Sequence, residues 1–137
     1  MRLFILLWFL SFNAFSKDFL PIPAKFKQII SLIESNNRDN AIGDNGKALG
    51  RYQIWQICYD DACNYDKSIS FSYNSLTNKA NSDIILTVYL NRYGRELIKL
   101  NDFESLARLW NAGPNWKNKK NLTNSYVSKF RKHLTNR

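Results

Sequence analysis

The chain has one histidine, and that histidine, His133, stands in a Lys/Arg-rich tail. A Ser-His or Cys-His nucleophile pair has little to be built from, and no spacing of Cys, His, Asp or Glu resembles a metal-ligand set. No metal and no cofactor is expected. The two cysteines, Cys58 and Cys63, are too few for a disulfide framework and have no base to make either catalytic. There is no internal repeat and no low-complexity linker, so 137 residues make one domain. Apolar runs are short. Leu3 to Leu10 is the longest, below the length of a comfortable membrane span.

What is present begins with an export pattern. Met1 to Ser16 reads as a short positive region at Arg2, an apolar core, and small residues at Ala14 and Ser16. Residues 1–16 are expected to be a signal peptide cleaved before Lys17, leaving residues 17–137 as an exported domain, periplasmic or secreted. Hydrophobic residues make up 45% and aromatics 15%, enough for a core without metal or many disulfides. The formal net charge is +9. An exported chain of that charge suits an anionic cell-wall polymer or a membrane surface. Nucleic acid is not expected, because there is no basic helix or zinc pattern beside the export signal. A solvated basic surface is the plainer reading of the same charge.

In an oxidising compartment Cys58 and Cys63 are expected to pair. A continuous helix would hold residues five apart at roughly 8 Å or more between Cα atoms, outside disulfide reach. Pairing therefore requires a turn between Tyr59 and Ala62, and two buried thiols are the alternative.

Helical periodicity is clear in four places. Phe26, Ile29, Ile30 and Ile33 form one apolar face after Pro21-Ile22-Pro23. Asn36, Asn37, Asp39 and Asn40 end that pattern, and Gly43-Asp44-Asn45-Gly46 can close a short β-hairpin. Tyr52, Ile54, Trp55, Ile57 and Tyr59 suggest a short helix, and residues 64–79 are polar and irregular. Ala80 to about Ile98 reads as the central buried helix, with Ile84, Ile85, Val88 and Tyr89 on one face. Asn101 to Glu104 resembles a capping box with Asn101 as cap, opening a helix that Gly113-Pro114 stops. A last helix follows Thr123, with Tyr126, Val127, Phe130 and Leu134 inward. The fold class is mainly α, with a small β-hairpin or irregular loop after the first helix.

Glu34 carries the chemistry in this reading. It lies at the rim of the first apolar stripe and near a helix C-terminus. The helix dipole and partial desolvation both disfavour its carboxylate, which suits a general acid near neutral pH. A surface glutamate in a last helical turn would show the same spacing. The Gly/Asn/Asp-rich loop after it, running to Gly50-Arg51-Tyr52-Gln53, can shape a cleft beside the acid and points to cleavage of a glycosidic bond.

Glu34-Ser35, Ala41, Gly46, Gly50 to Gln53, Asn111-Ala112-Gly113 and Tyr126 follow the order of motifs in soluble lytic transglycosylases and goose-type lysozymes. The resemblance covers roughly residues 25–134. Trp110 stands where that family has tyrosine, and Arg51-Tyr52 where it has an apolar pair. The resemblance implies a lysozyme-like fold and cleavage of the β-1,4 bond between N-acetylmuramic acid and N-acetylglucosamine in peptidoglycan, by a chain expected to act as a monomer. It implies Glu34 as acid/base, Ser35 orienting sugar or acid, Gln53 and Asn111 in the cleft, and Tyr126 beside the carboxylate. Trp116, in a Lys-rich loop, is the expected aromatic contact to sugar, while Trp55 and Trp110 are expected in the core.

Asp44 decides between reactions. A hydrolase needs a second carboxylate, and Asp44 lies in a turn that can fold over the cleft; invertebrate-type lysozymes also place an Asp in this interval. A lytic transglycosylase needs only Glu34. Three readings thus stand: transglycosylase, hydrolytic lysozyme, or a non-catalytic cationic wall-binding protein on the same fold.

Overall fold

A computed structural model describes residues 17–136. The expected signal segment 1–16 lies outside the described residues. The chain is mainly helical, with one small antiparallel sheet after the first helix. Helix α1 (Ala24–Ser35) begins directly after Pro23 and buries Phe26, Ile29 and Ile30, the expected stripe. It ends at Asn36, which adopts the left-handed conformation (φ 54°); the Asn36 N–H donates to the Leu32 carbonyl and the Asn37 N–H to the Ser31 carbonyl.

Strand β1 (Ile42–Gly43) pairs with β2 (Ala48–Leu49) around a 3-10 turn at Asp44–Gly46. The Gly-Asp-Asn-Gly signal therefore does close a hairpin. A third strand, β3 (Ile54–Trp55), pairs with β2, and helix α2 (Gln56–Tyr65) follows at once. The expected helix over Tyr52 to Tyr59 is thus corrected at its start. Gln53 takes φ 50° and sends the chain into the sheet, where Ala48 opposes Trp55 and Leu49 opposes Ile54.

Helix α3 (Lys79–Lys99) is central, as expected, and buries Ile85, Leu86, Val88 and Leu90. Ile84 is not on that face: it is 42% exposed. Gly94 allows α4 (Phe103–Ala112) to lie close, since a Cβ there would sit 2.7 Å from Leu109 Cδ2. The cap of α4 is Asp102, accepting from the Ser105 N–H, rather than Asn101, which takes φ 51°. Glu104 does not reach back to the cap; it holds Arg131 in a two-pronged ion pair at 2.6 and 2.7 Å. Helix α5 (Lys120–Thr135) begins before Thr123, after a 3-10 turn at Trp116–Lys119, and lies against α4 and α1. Phe26, Phe103 and Phe130 meet there, with ring centroids 5.9 and 5.6 Å from Phe26.

Cys58 and Cys63 both belong to the uninterrupted helix α2, and both are free. The expected disulfide is not formed, because no turn brings the two sulfurs together. Among the described residues no helix is long and apolar enough to cross a membrane, and no group of side chains is arranged to hold a metal.

The hairpin is pinned to the rest of the core at Gly50. This residue has φ 75°, donates its N–H to the Ala41 carbonyl at 2.8 Å, and approaches the loop before α3 closely. A Cβ there would lie 2.1 Å from the Leu76 carbonyl oxygen and 2.7 Å from Ser82 Oγ. Gly50→Ala is therefore expected to cost roughly 3 kcal/mol or more, lowering Tm by roughly 10 °C in a calorimetric scan.

Candidate active site

The last turn of α1 sets Glu34 and Ser35 on opposite tasks. Ser35 is buried and its hydroxyl donates to the Arg51 carbonyl at 2.8 Å and accepts from the Arg38 N–H at 3.1 Å. Arg51 reaches back, with Nε 3.1 Å from Ser31 Oγ and 3.5 Å from Asp39. Ser35 thus latches the returning chain onto α1. Ser35 was expected to orient sugar or the acid; its hydroxyl is occupied by backbone and it does not line the cleft, so of the two it is placed only to support the helix end that carries the acid.

Glu34 faces the other way, into a cleft of about 610 Å³. Asp44 from the hairpin turn, Gln53 from the loop before β3, Trp55 from β3, Cys58 from α2 and Trp110 and Asn111 from α4 share that cleft. Tyr126, 92 residues away on α5, donates its hydroxyl to Glu34 Oε1 at 2.6 Å. The structure therefore brings together Glu34, Asp44, Gln53, Asn111 and Tyr126, all predicted from sequence. Gln53 is held by Nε2 donating to the Gly50 carbonyl at 3.0 Å, and its Oε1 fills the space where a Cβ on Gly43 would stand.

The aromatic assignments are partly reversed. Trp116 is 7% exposed and packs in the core against the α3 side; it does not line the cleft. Trp55 is 46% exposed and lines it. In β3 Ile54 is buried and Trp55 exposed, but two residues are too few for the sequence to show that alternation. Trp110 forms the back wall, edge-on to Tyr52 (6.4 Å, 81°) and to Tyr89 (5.8 Å, 89°). Tyr52 is itself buried, its hydroxyl donating to Asp83 at 2.5 Å. Cys58 was not foreseen in the cleft. Burial, helped by Asp61, pushes its thiol up to about 12, so at neutral pH it is a small apolar wall group rather than a nucleophile.

Burial raises the Glu34 carboxyl above its ordinary value, and the Tyr126 hydrogen bond opposes that rise. Asp44 raises it further, while Lys129 and the Trp110 side chain lower it more weakly. The balance is upward, the direction a general acid needs. Tyr126 is held far above the ordinary phenol value by burial and by Glu34, so it acts as a hydrogen-bond donor and not as a base. The constellation can deliver a proton from Glu34 to an oxygen in the cleft, with amide side chains from Gln53 and Asn111 and an indole face from Trp55 to hold a polar, ring-shaped chain.

Comparison with known protein families and with curated protein sequences finds no match for the chain.

A carboxyl whose folded pKa is raised weakens the fold as pH climbs from its unfolded value through the folded one. Glu34→Gln is therefore expected to have a higher Tm than the unaltered chain at pH 7, with the gap closing below about pH 4.5, where both side chains are neutral. Tyr126→Phe removes the main lowering influence. An NMR titration of the Glu34 carboxyl carbon is expected to show its midpoint moving upward in that variant.

Proposed function

We propose that the chain is an exported muramidase with a lysozyme-like fold, cleaving the β-1,4 bond between N-acetylmuramic acid and N-acetylglucosamine in peptidoglycan. The observation that carries this reading is Glu34: a half-buried carboxyl with a raised pKa, aimed into a cleft and fixed by Tyr126. The motif order from Glu34-Ser35 to Tyr126 supports it.

In the first step Glu34 gives its proton to the glycosidic oxygen. The C1–O bond breaks, the leaving sugar departs as an alcohol, and positive charge develops at C1. The carboxylate just formed faces that charge. In the second step the same carboxylate takes the proton of the sugar's own 6-hydroxyl, whose oxygen closes on C1 as a 1,6-anhydro ring. No second carboxylate is required, so lytic transglycosylation is the leading reading. Tyr126 keeps Glu34 in one orientation through both steps, and Cys58, Trp110 and Tyr89 keep its surroundings poor in water.

Hydrolysis is favoured by one observation, the presence of Asp44 in the same cleft, close enough to raise the Glu34 pKa. There Asp44 would activate water or attack C1 directly.

Mass spectrometry of digested peptidoglycan separates the two reactions: anhydro-muramic ends are expected, and reducing ends would mean hydrolysis. Glu34→Gln is expected to lose activity by about 10²–10⁴-fold while remaining folded. A folded Glu34→Gln protein with full activity would sink the proposal. Asp44→Asn is expected to retain anhydro-product formation within about threefold, and its alkaline limb should move to lower pH, because a charge that raises the Glu34 pKa is gone.

A further inference from the structure

Five of the seven tyrosines spend their hydroxyls inside the protein: Tyr52 donates to Asp83, Tyr93 to Asp61 and Tyr126 to Glu34, while Tyr59 and Tyr73 donate to backbone carbonyls. Tyr65 is half-buried, with the cations of Lys17 and Arg92 over its ring. Tyr89 differs from all of these. It is only 8% exposed, yet its hydroxyl has no hydrogen-bond partner among the described residues. A buried phenol normally finds one, because leaving it unpaired costs about as much as a lost hydrogen bond. The hydroxyl is not sealed in, either. Among the described residues the side-chain oxygen shut away from solvent without a partner is Asp61 Oδ2, not that of Tyr89. Tyr89 lines the cleft that holds Glu34, so its free oxygen opens there.

The ring is fixed in that attitude. It stands edge-on to Trp110 (5.8 Å, 89°) and to Tyr93 (5.1 Å, 62°). The hydroxyl lies where α4 gives way to the turn after it: a Cβ on Gly113 would be 3.7 Å from the oxygen. Burial first, then Cys58, Tyr93 and Asp61, hold the phenol above its ordinary value, so it keeps its proton and donates.

The surroundings narrow the acceptor. A carboxylate would enter a cleft that already contains Glu34 and Asp44. A sugar hydroxyl brings a hydrogen of its own. Two hydroxyls facing each other share one bond and leave one hydrogen over, at a wall where Ile54, Cys58 and Trp110 offer little to receive it. An amide carbonyl oxygen only accepts. In an acetamido group it is followed by a methyl, which the same three side chains can cover. The cleft also holds the Asn111 amide, which can meet the N–H that remains.

We infer that Tyr89 is a specificity-determining residue, its hydroxyl donating to the carbonyl oxygen of an N-acetyl group on the sugar bound in the cleft. This rests on the muramidase reading and adds to it the substituent that is recognised and the atom that recognises it.

The test compares Tyr89 with Tyr89→Phe, both in the full chain carrying Glu34→Gln, so that binding is read without turnover. Glycan strands freed of stem peptides are de-N-acetylated, then re-acylated with either acetyl or trifluoroacetyl groups. The two products carry the same charge and nearly the same shape, but the trifluoroacetamide oxygen is much the poorer acceptor. Tyr89→Phe is expected to weaken binding of the acetyl strand about tenfold and of the trifluoroacetyl strand about twofold or less. Any effect of the fluorines alone, or of the missing oxygen on packing alone, cancels in that ratio. Tm should stay within about 2 °C, since the oxygen removed has no partner in the protein. Unchanged binding of the acetyl strand, or equal losses on both strands, would overturn the inference. So would a Tm lower by about 5 °C or more, which would assign the hydroxyl to the fold. Turnover of untreated peptidoglycan by the chain with Glu34 intact is scored apart. A chain that tells the strands apart through Tyr89 but cleaves no peptidoglycan would end the muramidase reading alone. One that cleaves peptidoglycan but loses both strands equally would end this inference alone.

Discussion

The hydrogen bond from Tyr126 to Glu34 ties the last helix to the first across the whole sequence. It matters because Glu34 has no cationic partner among the described residues, and a half-buried carboxyl in that position is unfavourable by itself. The arrangement around it follows from that constraint. α5 must lie against α1, which the Phe26–Phe130 contact arranges, and α4 must pass behind, which Gly94 permits. Remove the carboxyl's surroundings and the acid reverts to an ordinary surface glutamate.

Ser35 shows how closely support and chemistry are placed. One residue along the helix from Glu34, its hydroxyl turns inward and holds the backbone of Arg51. That single latch positions the loop from which Gln53 enters the cleft. Two neighbours in sequence thus serve opposite faces of one helix end, and both are needed where the loop meets the cleft.

Much of this was legible beforehand where a pattern repeats. Phe26, Ile29 and Ile30 give α1 its period, and Glu34 follows at its end. Gly43 to Gly46 announces the hairpin by composition alone. What was not legible depends on partners distant in sequence. β3 is two residues long, too short to show alternation, so Trp55 read as core and is instead a wall of the cleft. Trp116 looked exposed among lysines, yet α3 offers it a hollow that no local signal announces. Asn101 and Asp102 are both good caps, and only the backbone angles choose between them. The cysteine pairing failed because α2 runs on through the interval where a turn was needed.

Among the described residues, seven of the nine with positive φ fall between Asn36 and Gln53, the stretch that floors the cleft. Asn, Asp and Gly fill six of these positions, the residue types that tolerate that conformation best. Such a segment has few alternative conformations once the hairpin and the Ser35 latch are formed. Most of the ordering entropy that ligand capture would otherwise require is therefore spent during folding, before any ligand arrives. The floor is thus built as a preformed template, its turns set by folding and not by contact with a ligand.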